Sequence, residues 1–267
     1  MLQRICAVFL LSTSLATAAP TLSNAVFANY RETVTPAVFN NVFCNTMGTG
    51  AALQCSDTVA LSDTGGLSLT YSAYSESAFG TLKTRAEATL SGTGSTPASR
   101  LSVVRGGATF TDDFLFTGLP TGTAGVAHWL FQLTGSTAGY GNGNLANATI
   151  SAFSGPTIFS SVTLQNPTNV LLTTPIVFGQ SMTLSFNLVA LININNFISG
   201  LSLSTLWDNT AVLSGLSVTD AQGNLQEFDV TGASAAGYLA DLPEAIPEPS
   251  TMILAACGLA ALALRRN

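Results

Sequence analysis

The sequence contains few charged side chains. Asp, Glu, Lys and Arg together make up 8% of the 267 residues, and the acidic residues outnumber the basic ones by 14 to 8. Binding to DNA or RNA depends heavily on cations that neutralise phosphates. A chain with a net charge of -6 supplies too few of them, so we expect no nucleic-acid partner.

Histidine is scarcer still, because His128 is the only one in the chain. A serine or cysteine nucleophile would need this residue as its base. His128 stands beside Trp129 in an apolar stretch, which favours a structural histidine over a catalytic one. The sequence also contains no Gly-x-Ser-x-Gly motif. We therefore predict no catalytic residue, no metal site, no cofactor and no enzymatic activity.

The first residues are typical of a secretory signal peptide, Met1–Ala19. Arg4 supplies a positive charge, Ile5–Leu15 forms an apolar core, and Ala16-Thr17-Ala18 is a small-residue cleavage site. We expect cleavage after Ala18 or Ala19, and therefore export of the chain through the general secretory route.

Only two of the four cysteines, Cys44 and Cys55, lie outside the apolar segments at the two ends. In an exported chain, two cysteines this close in sequence most simply pair with each other. A metal site would need more ligands than one histidine and two cysteines provide. We predict a Cys44–Cys55 disulfide that closes a loop of small residues.

Three acidic segments are candidates for chemistry, and each has a plainer interpretation. Asp63-Thr64-Gly65 spells the triplet of aspartic proteases, but that chemistry needs two aspartates, so a turn is favoured. Asp112 and Asp113 are adjacent in a strand and would point to opposite faces. That favours solvated carboxylates over a calcium site. Asp220–Asn224 has the residues of a hairpin turn, although its oxygens could also bind calcium.

Aromatic side chains could form a platform on which sugar rings stack, if the fold brought them together. The same side chains would otherwise pack in the core. The candidates are Trp129, Trp207, Tyr71, Tyr74 and Tyr140.

Alternation of apolar and polar residues predicts an all-β body over residues 20–241. In the stretch 67–72, Leu and Tyr alternate with Ser and Thr, which is typical of a half-buried strand. Further strands are predicted at 78–90, 100–116, 126–133, 148–153, 158–164, 181–194, 201–206, 213–218 and 225–230. Many short strands with regular turn signals indicate a single antiparallel β-sandwich, jelly-roll-like, without amphipathic helices.

The remaining parts of the body carry weaker signals. Residues 20–41 have no clear period and predict at most a first edge strand. Gly106-Gly107 predicts a bulge or kink, and the glycine-rich residues 136–144 predict a loop.

The last residues fall into three consecutive parts. Pro247-Glu248-Pro249, within a linker over 242–250, is stiff and extended because each proline fixes its own φ. Thr251–Leu264 is uncharged and rich in Ala and Leu. As a helix it would cover about 21 Å, against about 30 Å for the hydrocarbon core of a bilayer. Arg265 and Arg266 can nevertheless reach headgroups on the cytoplasmic side. We predict a transmembrane helix with a basic tail over 251–267, in preference to a packed terminal helix.

This order of Pro-Glu-Pro, apolar helix and basic tail resembles the PEP-CTERM sorting signal of exopolysaccharide-producing Gram-negative bacteria. The signal's motif corresponds to Pro247, Glu248 and Pro249, and its basic end corresponds to Arg265 and Arg266. The resemblance implies that an exosortase, a membrane-embedded processing enzyme, is a partner. It also implies transient anchoring in the inner membrane, and then a place at the cell surface or in the extracellular matrix.

The body is similar, more diffusely, to the β-sandwich domains that often precede this signal. The likeness lies in 71–75 followed by 80–82, in 108–114 and in 230–238. It implies a fold and no activity. The leading expectation is a surface or matrix protein associated with exopolysaccharide or biofilm. A carbohydrate-binding module is the alternative, and a secreted hydrolase is a weaker one because paired acids or a nucleophile with its base are missing.

Overall fold

The structure is a computed structural model that describes residues 19–31, 38–50, 52–62, 66–92, 101–139, 144–195 and 200–234. Residues 1–18 of the predicted leader lie outside this part of the chain. So do the Asp63-Thr64-Gly65 segment, Tyr140, and everything from 235 onwards, including the sorting motif and the predicted terminal helix.

Every regular element in the described residues is a β-strand, as the alternating pattern predicts. The strands are β1 (Thr21–Arg31), β2 (Val38–Gly48), β3 (Ala52–Ser62), β4 (Leu67–Ala78), β5 (Thr81–Gly92), β6 (Leu101–Thr117), β7 (Ala124–Leu133), β8 (Ser136–Ala138), β9 (Leu145–Ser154), β10 (Thr157–Leu164), β11 (Thr168–Val177), β12 (Ser181–Ile194), β13 (Ser202–Asp220), β14 (Leu225–Gln226) and β15 (Asp229–Gly232).

The strands form two antiparallel sheets. The first sheet has the order β10-β9-β12-β6-β1-β2, with β15 also paired to β6. The second has the order β11-β7-β13-β5-β4-β3, with β8 and β14 also paired to β13. The two sheets face each other across one hydrophobic interior, which confirms an all-β fold of the sandwich type.

Aromatic side chains fill the wider part of that interior. Trp129 of the second sheet packs against Phe186 of the first, with ring centroids 5.0 Å apart, and against Phe114 at 4.8 Å. Phe110 lies 5.0 Å from Phe186 on the neighbouring strand. Rings of this size bury more apolar area than any other side chain, so this cluster supplies much of the hydrophobic stabilisation.

A belt of small polar residues crosses the interior and separates this cluster from a second, smaller one. Its members lie on five different strands. Four of them stand between a residue of the large cluster and a residue of the small one, and the fifth, Ser75, follows Ala73 of the small cluster. The five members are Asn24 on β1, Ser75 on β4, Thr84 on β5, Gly106 on β6 and Thr205 on β13, and the side chains of the four polar members are fully buried.

Two hydroxyl groups of the belt join the sheets directly. Thr84 Oγ1 donates to the carbonyl of Gly106 at 3.0 Å and accepts from the N–H of Ala190 at 3.2 Å. Thr205 Oγ1 donates to the carbonyl of Asn147 at 3.3 Å. Each bond runs from the second sheet to the backbone of the first, so the belt ties the two layers together by hydrogen bonds as well as by apolar contact.

Gly106 makes the close approach of the sheets possible. A Cβ at this position would lie 2.5 Å from the carbonyl oxygen of Tyr74 and 2.8 Å from that of Arg85. The pairing of β6 with β1 and with β12 runs without a shift through Gly106 and Gly107. The predicted bulge at these two glycines is therefore wrong. Glycine is needed at position 106 because the backbone of the second sheet lies against it.

The disulfide is confirmed, but its surroundings differ from the prediction. Cys44 and Cys55 are bonded, with their Cα atoms 5.9 Å apart. They lie on β2 and β3, which belong to different sheets, and not in a loop. Because the connection between the strands is short, the bond fastens the two sheets together at one end of the sandwich.

Three other predictions about the body were also wrong. β1 is an interior strand between β6 and β2, and not an edge strand. The loop predicted over 136–144 contains the short strand β8, and the two strands predicted at 201–206 and 213–218 are one strand, β13.

A methyl group at Gly106 should separate the sheets. We expect Gly106→Ala to lower the free energy of unfolding by about 1 to 3 kcal/mol, because the backbone atoms it would meet cannot move aside. Urea unfolding of the purified protein measures the loss. Gly107→Ala is the matched control, because a Cβ there meets nothing closer than 3.8 Å. Equal destabilisation by the two changes would contradict the proposed close approach.

Loss of the disulfide should also destabilise the body. Replacing both Cys44 and Cys55 by Ala is expected to cost about 3 kcal/mol, since the unfolded chain regains the entropy of the closed loop. Reducing agent should lower the urea midpoint of the wild-type protein and leave that of the double variant unchanged. A wild-type midpoint that does not respond to reduction would show that the bond contributes no stability.

Candidate functional site

The predicted sorting motif follows the body at a limited distance. The last described residue is Ser234, and residues 235–246 separate it from Pro247. A fully extended chain advances by about 3.3–3.6 Å per residue, so this connection reaches at most about 45 Å. The place where the chain leaves the body therefore decides where the motif can be presented.

The two ends of the body meet on β6. β1 pairs with Leu101–Thr111 and β15 pairs with Phe114–Thr117. β12 pairs with the same strand from Ser102 to Leu115. Since a strand has only two edges, β1 and β15 must lie end to end along the other edge. Asp112 and Asp113 occupy the short interval between them.

Asp112 holds the end of the body in place. Its side chain is fully buried. Oδ1 accepts the backbone N–H of Ser234 at 3.0 Å and that of Asp113 at 2.9 Å, and Oδ2 accepts the hydroxyl of Ser234 at 2.6 Å. Hydrogen bonds to an ionised acceptor are among the stronger ones in proteins. This carboxylate therefore attaches the exit of the chain to the centre of the sandwich.

Asp113 turns to the other side of the strand. Its Oδ1 accepts the hydroxyl of Thr183, and its carbonyl accepts the N–H of Ala233 at 3.0 Å. Its Oδ2 has no hydrogen-bond partner among the described residues. The divergence of the two carboxylates is as predicted, but both are buried, so the prediction of solvated carboxylates is wrong. Sequence reasoning missed them because the partner of Asp112 is remote in sequence.

His128 is half-buried on β7. Its Nε2 lies 3.0 Å from the hydroxyl of Thr219 on the neighbouring strand β13. The histidine thus takes part in the pairing of two central strands, in line with the structural role that the sequence favoured.

The aromatic platform is not assembled as the sequence allowed. Trp129 and Trp207 are fully buried, and their Nε1 groups donate to Thr174 at 2.8 Å and Thr205 at 3.1 Å. Tyr71 is also buried, and burial together with the charge of Asp57 raises its pKa to about 12. These three side chains belong to the core and cannot stack on a sugar.

Tyr74 lies on the outer face of the second sheet, in a network of charges from β4 and β5. Its hydroxyl donates to Glu76, whose carboxylate also lies 2.9 Å from Lys83 Nζ. The bond from Tyr74, reinforced by Lys83 and opposed by partial burial, lowers the pKa of Glu76 from its usual value.

The network continues on β5. Arg85 lies over the ring of Tyr74, 5.8 Å from its centre, and its Nε is 3.5 Å from Glu87. Glu87 also accepts the hydroxyl of Ser72 at 2.9 Å. Opposite charges neutralise each other here, and pairs this exposed contribute little free energy. The alternation of Lys83, Arg85 and Glu87 on β5 was a signal that could have placed these three residues on one face.

The Asp220 hairpin is confirmed. The carboxylate of Asp220 accepts the backbone N–H groups of Gln222 and Asn224, each at 2.9 Å, and the side-chain amide of Asn224. These bonds, those of Asn224 first, lower the pKa of Asp220. Gly223 has the positive φ of 85° that the turn requires. The oxygens therefore serve the turn itself.

The part of the chain that the structure describes holds no group of three or more His, Cys, Asp or Glu side chains placed to bind a metal ion. It also holds no helix with the length and apolar character needed to cross a bilayer.

Removing the Asp112 charge should loosen the exit of the chain. The substitution Asp112→Asn keeps one acceptor oxygen. It replaces the other oxygen by an NH₂ group, which faces the N–H and hydroxyl donors of Ser234. We expect a loss of about 1 to 3 kcal/mol in unfolding free energy, with faster amide hydrogen exchange over 230–234. Asp229→Asn, the same change at an exposed position on β15, should alter neither quantity. Equal effects of the two variants would show that Asp112 does not hold the exit.

Comparison with known proteins places the sorting signal. No curated protein matches this chain. A family model, the PEP-CTERM protein-sorting motif, matches residues 245–267. The match contains Pro247, Glu248 and Pro249 as well as Arg265 and Arg266. An all-β body of two antiparallel sheets thus precedes the signal, and residues 245–267 of this chain are a PEP-CTERM protein-sorting motif.

Proposed function

We propose that the chain is an exported structural protein that an exosortase processes near Pro247–Pro249 and passes to the cell surface or extracellular matrix. The observation that carries the proposal is the sorting motif at 245–267. A PEP-CTERM signal implies recognition by an exosortase, and so an exported product. The predicted signal peptide, Met1–Ala19, supplies the entry into the secretory route.

Each part of the signal has a physical task in this proposal. The apolar segment Thr251–Leu264 holds the chain in the inner membrane, with Arg265 and Arg266 on the cytoplasmic side. Pro247-Glu248-Pro249 then stands just outside the bilayer. Because both prolines restrict the backbone, the exosortase meets an extended segment that loses little conformational entropy on binding.

The body is the product that reaches the surface. Asp112 and Ser234 fix the point where the linker leaves it. In this proposal the folded body stays outside the membrane while the linker brings the motif to the enzyme. The prediction that the strands are connected as in a jelly roll remains a prediction.

We further propose that the released body is a non-catalytic component of an exopolysaccharide layer or biofilm of a Gram-negative bacterium. Its surface has few charges, and hydroxyl and amide groups account for much of its polarity. Such a surface can form hydrogen bonds with hydrated polysaccharide, and no bound counterions have to be released when it does so.

Changing the motif should stop processing. In a host that has an exosortase, Pro247→Ala with Glu248→Ala should leave the chain unprocessed and membrane-bound, because the rigid recognition element is lost. Membrane fractionation and the intact mass of the surface and culture fractions measure this. The linker contains the same dipeptide at Pro243-Glu244, and its conversion to Ala-Ala is the matched control, which should be processed like the wild type.

Release of the motif variant at the wild-type rate would refute sorting through this signal.

The association with polysaccharide is tested by a separate comparison of two kinds of cell. Processed protein should remain with the matrix of cells that make exopolysaccharide and pass into the medium of cells that do not. Equal retention by both cells would refute that association and leave the sorting proposal untouched.

A further inference from the structure

One end of the sandwich carries no charge. From Trp129 to Trp207 the sequence contains no Asp, Glu, Lys, Arg or His, and this stretch includes the whole of β8–β12. The sheet order places β10, β9 and β12 together at one end of the first sheet, and β11 at an end of the second sheet. β10 and β11 are in contact across the two layers. A long uncharged segment therefore becomes one continuous uncharged end of the body.

β10 is the edge of the first sheet at that end. It pairs with β9, and no other described strand pairs with it. Its backbone N–H and C=O groups on the outer side are thus available to another strand. The bulge against β9 lies between Ile158 and Ser160, and the pairing from Ser160 to Leu164 is regular. Ile158 is 65% exposed.

The edges of the second sheet have features that discourage pairing, and β10 lacks them. β11 contains Pro175, which has no N–H to donate, and β3 contains the charged Asp57. β10 has neither a proline nor a charged residue. β2, the other edge of the first sheet, is uncharged as well, but its Cys44 is bonded to β3 of the second sheet.

Charge indicates which partner fits this edge. The chain has a net charge of -6, so two copies repel each other wherever their charged surfaces meet. At the uncharged end, two copies can approach without that cost. An antiparallel pair of identical strands is self-complementary about a two-fold axis. Exposed Ile158 and Leu171, 65% and 50% accessible, lie on the two edge strands at this end.

We propose that the body associates with a second copy of itself through antiparallel pairing of β10 with β10, which joins the two first sheets into one. This inference goes beyond the proposed function, because it concerns the body alone and holds whether or not an exosortase processes the chain.

The test uses the processed protein, purified from the cells that make it. Sedimentation velocity at rising concentrations should show a monomer–dimer equilibrium. Ser161 is exposed near the middle of β10. Ser161→Lys would bring two like charges together at the pairing, so its dimer should be about tenfold weaker or more. Ser56→Lys, the same change on the edge strand β3, should leave the dimer unchanged.

A third variant and one measurement without a variant complete the test. Asn45→Lys places the charge on β2 and should also leave the dimer intact; loss with both Ser161→Lys and Asn45→Lys would indicate head-to-tail pairing and overturn the two-fold model. In the wild type, amide exchange of 160–164 should slow as the concentration rises, while that of β3 stays constant. A monomer at every concentration, or equal weakening by Ser161→Lys and Ser56→Lys, would overturn the proposal.

Discussion

The hydrogen bonds that cross between the two sheets constrain the rest of the structure. Stacked sheets normally lie about 10 Å apart, with side chains filling the space. At Thr84 and Gly106 the side chain of one sheet instead reaches the backbone of the other. A slip of one residue in β5 would turn Thr84 to the outside and leave the sheets without this bond. The belt therefore sets the relative position of the two layers as well as their spacing.

The belt also explains why the interior has two clusters. Thr84, Gly106 and Thr205 bring the layers together, and the buried Phe and Trp side chains of the core are gathered on one side of this belt. The smaller cluster, with Tyr71, Val104 and Ile192, lies on the other side. The disulfide at Cys44–Cys55 ties the two sheets beside the smaller cluster, where fewer apolar groups are buried. Two kinds of cross-sheet link thus support the less densely apolar part of the body.

Local pattern predicted much of this fold, and its failures have physical reasons. The strand β12 was predicted over 181–194, and the structure has it from Ser181 to Ile194. The strand β11 was missed because Pro175 marks a break, although an edge strand tolerates it. β2 and β3 were hidden by glycines and small residues around Cys44 and Cys55. Thr210, with a φ of 116° in the middle of β13, has no counterpart in any sequence rule for strands.

The candidate site shows the same difference between features that are local in sequence and features that are not. The sorting motif could be recognised because all of its parts are consecutive in sequence. The role of Asp112 could not, since Ser234 is far along the chain and only the sheet brings the two together. The belt was invisible for the same reason, because its members come from five strands and each is an ordinary small residue in its own strand.

The meeting of β1 and β15 on one edge of β6 has a consequence for the order of assembly. The strand that closes this edge is the last of the body to be synthesised, so the sandwich stays open there until Ser234 has crossed the membrane. In the proposed route the apolar segment Thr251–Leu264 follows directly after residues 235–250 and halts translocation. The body then gains its final strand at about the time when its C-terminal anchor is placed, and both ends of the folded body lie along one edge of the interior strand β6.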